Sequence, residues 1–397
     1  MNIDLDLDIE PVAFRPIMNN HNQPASPASP AAPAAPDAPA TAPAKSAGLK
    51  SARLLNLLGR IAALVVVYLF FVALTPGARG FTSDANTQLM LQDIAVVAMA
   101  AIGMTLVLIA GGIDLSAGSV IALAMITTAY ILDLGPADNK FVLRYPVFLP
   151  ILALFGATAV ASLVGLFNGL LVTYLRIVPF IITLGTMQMA RGLAKLVAGE
   201  QNIYPPAEVQ DLWISRLLEP APTVFTWPFL PVGVWLVIGM AILTALFLRY
   251  TRLGRHIFAI GSNEKTAVLC GVPVARTKVL VYVIGGFFAG LAGVVFFARL
   301  GSIGQPTEAI GYELFVIAAA VIGGTSLLGG RGTILGTMIG ALIITILRNG
   351  GVKMGWPQYT QEIVMGAVII VAVAIDNLRN SPGGVVRNLR RLFGGRR

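Results

Sequence analysis

Apolar residues run through this chain in blocks of about 20, the length that crosses a ~30 Å hydrocarbon layer as a helix. Such blocks fall at Leu54–Leu74, Leu89–Ala110, Leu115–Leu132, Val147–Tyr174, Ile177–Val197, Leu230–Leu248, Val279–Ala298, Leu314–Leu328, Thr333–Leu347 and Tyr359–Ile375. They predict an all-α polytopic membrane protein with about ten transmembrane helices. The third, eighth and ninth blocks are short for a full crossing, which reads as broken or re-entrant helices. One polar interruption stands out, RYTRLGRHIFAIGSNEKTAVLCGVPVARTK at Arg249–Lys278. Within it, Asn263–Leu269 reads as a short helix, with Ser262 or Asn263 able to cap it and Gly271 and Pro273 ending it.

Charge supports the same picture. Only 12% of the 397 residues are charged against 56% hydrophobic, and the mean hydropathy is +0.80. Soluble domains carry roughly a quarter charged residues. The formal net charge of +9 therefore reports orientation rather than a nucleic-acid surface, and no nucleic-acid partner is expected. Arg249–Lys278 holds six basic residues against Glu264 alone, and Asp376–Arg397 holds six arginines against one aspartate. The Ala198–Phe229 connection is acidic, with Glu200, Glu208, Asp211 and Glu219 against Arg216. With Lys45, Lys50, Arg53 and Arg60 ahead of the first block, the bias puts both termini and the 249–278 loop in the cytoplasm and 198–229 outside.

The first 48 residues are of another kind. Pro24–Ala44 is almost wholly Pro, Ala and Ser, a composition that cannot build a core and predicts a disordered tail. No basic segment leads into an apolar one at the start, so a signal peptide is not expected. Cys270 is the single cysteine, which forbids an intrachain disulfide; with only His21 and His256 besides, no metal site is predicted. The chain carries no phosphate loop, no zinc-protease helix, no nucleophile elbow and no paired carboxylates in a span, so no catalytic residues are assigned and an enzyme is not expected.

Three stretches could carry chemistry. Gly111–Ser119, GGIDLSAGS, breaks a helix and restarts one. Asp114 is the sole acid between Ile94 and Leu132; it either caps the next helix together with Ser116 or acts as an ion site at membrane depth. Gly165–Leu196 plants Asn168, Thr173, Thr183, Thr186 and Gln188 in apolar helices. Uncharged hydroxyls and amides suit a neutral polyhydroxy solute, and they equally suit helix–helix hydrogen bonding. Gly323–Leu342 begins GGTSLLGG, a faint echo of Gly111–Gly118, and continues with Gly332, Gly336 and Gly340 at close-packing spacing.

Taken together, GGIDLSAGS, FNGLLVTYLRIVPFIITLGTM (167–187), TRLGRHIFAIGSNEKTAVLCGVPVARTK (251–278) and GGTSLLGGRGTILGTMIGAL (323–342) make the chain resemble the permease subunits of ABC-type monosaccharide importers, the ribose, xylose and galactose group. The resemblance divides it into a 1–48 tail, a 49–378 permease domain whose 249–278 loop docks on a separate ATPase subunit, and a basic 379–397 tail. It implies an inner-membrane protein of bacteria that passes a ribose-like pentose or a hexose. The sugar would be delivered by a periplasmic sugar-binding protein, and a second permease chain, a copy or a paralogue, would complete the pathway in the lipid bilayer. ATP and Mg would sit on the ATPase, leaving this chain without a cofactor. The loop positions matching the family are Gly254, Ala259, Gly261, Asn263, Glu264, Ala267 and Gly271; Thr266, Cys270 and Val178 depart from it. Asp114, Ser116, Asn168, Thr183 and Thr186 are the candidates for the solute pathway. A proton- or cation-coupled carrier using Asp114 is the competing expectation.

Overall fold

The computed structural model describes residues 46–75, 80–134, 144–219 and 230–380. The expected tails at 1–48 and 379–397 fall almost wholly outside them. The chain divides into two compact units, Met1–Leu49 and Lys50–Arg397; the second holds the core.

Twelve α-helices are seen among the described residues: α1 Ser46–Leu74, α2 Asp84–Ile109, α3 Ala117–Asp133, α4 Phe148–Tyr174, α5 Pro179–Ala198, α6 Val232–Tyr250, α7 Arg252–Ser262, α8 Glu264–Leu269, α9 Val274–Arg299, α10 Tyr312–Ile322, α11 Ile334–Lys353 and α12 Gln358–Asn380. Each of the ten apolar blocks holds a helix. Six helices, α1, α2, α4, α6, α9 and α11, are long and apolar enough to cross a membrane, and α3, α10 and α12 contain shorter apolar stretches. The remaining block is α5, which carries Arg191 and Lys195.

α2 and α9 sit at the centre. Both are apolar on all sides, as helices enclosed by other helices must be, and their buried positions run almost unbroken along Ile94–Ile109 and Gly285–Ala298. α9 packs against α4 and α3 through small residues. A Cβ on Gly290 would come within 2.7 Å of Thr158 Cα, and one on Gly293 within 2.6 Å of the Ile121 carbonyl oxygen. The backbones can approach this closely only without side chains there. Two buried polar pairs tie α2 to α11. Asn86 and Asn349 exchange amide hydrogen bonds of 2.9 and 3.1 Å, and the Thr105 and Thr337 hydroxyls lie 2.7 Å apart.

The short eighth and ninth blocks resolve differently. α10 has only 11 residues, because Gly323 and Gly324, the latter at φ 86°, end it well before Leu328. The non-helical stretch 300–311 precedes it. There Gly304 packs on Ala129 near the end of α3, while the Ala309 carbonyl lies over Gly118 near its start. This segment thus runs antiparallel along α3, and α10 completes the passage. Non-helical backbone at such depth is tolerated because it is enclosed by protein, and Gly304 is further tied by a two-way backbone bridge to Ile203 at 2.9 and 3.0 Å. The ninth block is a full 20-residue helix, α11, longer than its apolar run because Asn349 and Lys353 continue it.

Candidate functional site

The 249–278 loop folds as two helices, not one. The sequence signals α8, while α7 is an unforeseen amphipathic helix. Thr251 caps α7 by accepting from the Gly254 N–H at 3.0 Å. Asn263, not Ser262, caps α8 by accepting from the Thr266 N–H at 3.0 Å. Gly271, at φ 75°, turns the chain out of α8, a left-handed conformation that favours glycine.

Of the seven positions singled out in this loop, Asn263, Glu264 and Gly271 are exposed, while the others are packed to differing degrees into its platform. Gly254 and Ala267 are buried. A Cβ on Gly254 would run into the Leu248 backbone. The Ala259 carbonyl accepts from the Asn263 N–H at 3.1 Å. Glu264 pairs with Lys278 at 2.7 Å, fastening α8 to the second turn of α9. Gly261 lies at a crossing of three segments: a Cβ there would collide with the Ile109 carbonyl and come within 2.5 Å of the Gly330 nitrogen. Gly330 in turn donates to the Ile109 carbonyl at 2.8 Å, and Gly329 lies against Gly111. The two glycine-rich stretches that echo each other in sequence therefore meet in space, under the loop.

What the platform presents outward is different. Leu269 is 88% exposed and Val268 57% exposed, beside the exposed Lys265, Thr266 and Cys270. Two bare aliphatic side chains on a charged loop were not singled out by the sequence, where α8 is too short to show a periodicity. Beneath α8, a cavity of about 700 Å³ opens between it and the α4–α5 turn, lined in part by Thr173, Arg176, Pro179, Val268, Val272 and Lys278.

The polar candidates inside the bundle are drawn together at the start of α3. Asn168 on α4 donates to the Ser116 hydroxyl at 2.9 Å. Ser116 donates from its hydroxyl to Asp114 Oδ1 at 2.5 Å and from its backbone to the same oxygen at 2.9 Å. Asp114 thus orders the turn entering α3 rather than capping it in the strict sense; Ser116 is the cap residue and makes no side-chain cap bond. In this connection between helices, burial pushes the Asp114 carboxyl above its ordinary range, and the Ser116 hydrogen bonds hold it back. The neighbouring Ile113 carbonyl accepts from Tyr282 of α9 and Thr183 of α5, each at 3.4 Å. Thr183 also donates to the Pro179 carbonyl at 2.9 Å, and Thr186 is buried one turn on. All five predicted pathway residues are buried within the single chain. Tyr282, which closes this group, was hidden in an apolar run. Among the described residues, no group of acidic, histidine or cysteine side chains could hold a metal ion.

The sequence profile of a permease family described as "Branched-chain amino acid transport system / permease component" matches residues 86–373. This chain belongs to that permease family. Over 321 residues it is 39% identical to the ribose import permease protein of Escherichia coli, covering 79% of this chain and 92% of that one. It is 36% identical to the ribose import permease protein of Bacillus subtilis, over 82% of this chain and 94% of that one. It is 34% identical to the L-arabinose transport system permease protein of Escherichia coli, over 80% and 90%. No solved structure matched the chain. The permease's matched region, 86–373, spans the polar cluster at the start of α3, the loop platform and both glycine-rich turns.

Proposed function

We propose that this permease is the membrane-spanning subunit of an ATP-driven importer, passing a ribose-like pentose or a hexose across the bacterial inner membrane. The carrying observation is its similarity to ribose import permeases along nine-tenths of their length. The loop platform supplies the physical complement. A chain with no phosphate loop of its own needs its energy from another subunit, and α7–α8 offers a pre-formed surface with Leu269 and Val268 exposed for that contact. ATP and Mg would reside on that ATPase. A sugar-binding protein would deliver solute at the opposite face, and a second permease chain would complete the pathway.

Coupling follows from the Gly261 crossing. Force applied to α8 passes through tightly packed backbone into the 109–116 and 323–332 turns, since close-packed contacts transmit strain rather than absorb it. Those turns begin α3 and end α10. A shift of α3 against α4 and α5 would unpair Asn168 and Thr183, uncover Thr186, and offer all three to solute, which is alternating access by movement of packed helices.

The test is co-expression with the neighbouring ATPase and binding-protein genes, followed by uptake of ribose, allose and arabinose into proteoliposomes. ATP-dependent accumulation of one of them with the ATPase co-purifying is the expected result. Accumulation by the permease alone on a proton gradient would overturn it in favour of a carrier centred on Asp114.

A further inference from the structure

A second polar cluster lies away from the loop, where α3, α5 and α10 meet, and no part of the coupling argument uses it. Arg191 stands twelve residues into α5, about 18 Å along the helix at 1.5 Å per residue. Its guanidinium donates to the Ser119 hydroxyl from Nε at 3.2 Å and from Nη2 at 3.0 Å. Glu313, the second residue of α10, lays its carboxylate against Gly118, the residue before Ser119. No ion pair joins Arg191 and Glu313 among the described residues. Glu313 Oε2 is buried and has no hydrogen-bond partner among those residues, while the residue as a whole, like Arg191, stays partly open.

Other ionic side chains of the bundle are settled differently. Arg299 of α9 pairs directly with Asp93 of α2. Arg348 of α11 donates to the Tyr312 hydroxyl at 2.8 Å and stacks over the Tyr312 and Phe315 rings. A charge at membrane depth is costly unless paired, and a buried acceptor without a donor costs further. A purely structural Arg191–Glu313 pair would close on itself as Arg299 and Asp93 do. Instead the cation holds the Ser119 hydroxyl, the anion lies against the neighbouring Gly118, and one acceptor is left vacant. When the helices part to admit solute, neighbouring hydroxyls of a sugar can satisfy both groups, one donating to the carboxylate and another accepting from the guanidinium.

We propose that Glu313, Arg191 and Ser119 form a station that holds the hydroxyl groups of a neutral polyhydroxylated solute during its passage. The assignment rests on the sugar-import reading above. The geometry makes Glu313 Oε2 the acceptor of a solute O–H, Arg191 the donor to a solute oxygen, and Ser119 the group that aims Arg191.

The experiment measures ribose, allose and arabinose uptake together with ATP hydrolysis in proteoliposomes holding the complete transporter. Glu313→Gln and Arg191→Gln should each cut uptake at least fivefold while hydrolysis stays within twofold of wild type, because solute slips without being held. Arg191→Lys should recover part of the loss, and Ser119→Ala should give a smaller one. These two milder substitutions keep the test decisive if a Gln variant fails to assemble. Uptake and hydrolysis falling in parallel, or neither changing, overturns the assignment and leaves the cluster a packing feature. Wild-type transporter that hydrolyses ATP but imports none of the three sugars would overturn the sugar reading and this station with it.

Discussion

Gly261 and Ile109 touch backbone to backbone: no side chain fits on Gly261 without striking the Ile109 carbonyl oxygen. That carbonyl already accepts from the Gly330 N–H at 2.8 Å. The contact joins the loop platform to both glycine-rich turns, so it is a structural joint and not part of the outward surface. Gly261→Ala should destabilise the solubilised permease by about 1–3 kcal/mol, the usual cost of overpacking, seen as a lower melting temperature in the isolated chain. An unchanged melting temperature would refute the joint.

The opposite pattern is expected at Leu269. Its side chain is almost wholly exposed and contributes little to the fold. Leu269→Asp should leave melting unchanged while weakening capture of the ATPase at least tenfold, about 1.4 kcal/mol or more, because a charge would be desolvated in an apolar contact. Pull-down with tagged permease measures it. Full retention of the ATPase would move the contact elsewhere on the loop.

Asp114 separates the coupled-import reading from its rival. Its Oδ1 accepts two hydrogen bonds from Ser116, and an amide oxygen can accept the same two. Asp114→Asn should therefore retain most uptake. Asp114→Ala, which loses the turn and strands Ser116, should cost about 1–2 kcal/mol of stability. Abolished uptake in Asp114→Asn, with normal folding, would instead point to an ion-carrying carboxylate.

The Asn86–Asn349 amide pair allows a double-mutant test of the α2–α11 contact. Asn349→Leu leaves buried amide groups of Asn86 unpaired and should destabilise by about 1–3 kcal/mol. Adding Asn86→Leu should recover part of that loss, since two apolar partners leave less to satisfy. If the double variant is as unstable as the sum of the singles, the two amides are not coupled.

Legibility along the chain follows the range of the force involved. The ten apolar blocks all carry helices because hydrophobicity over about 20 residues is a local, additive property. The helix α8, its Asn263 cap and its Gly271 exit were readable because capping is satisfied within four residues. α7 escaped because its charged face masks an apolar one. The end of α10 was misplaced by six residues because Leu327 and Leu328 extend the apolar run beyond the Gly323–Gly324 turn. Among the site residues, Asp114 and Ser116 could be linked by sequence spacing, but Asn168, 52 residues away, could not.

By itself, then, the sequence determined the class of the molecule, the placement of its helices, and through its motifs the family to which it belongs. Only the tertiary structure decided that the echoing glycine turns meet beneath Gly261, that Leu269 stands exposed on α8, and that Arg191 holds Ser119 without pairing with Glu313. Each of those facts depends on backbones approaching within contact distance across long stretches of chain. Such approaches are set by how whole helices pack, and no local pattern of residues encodes them.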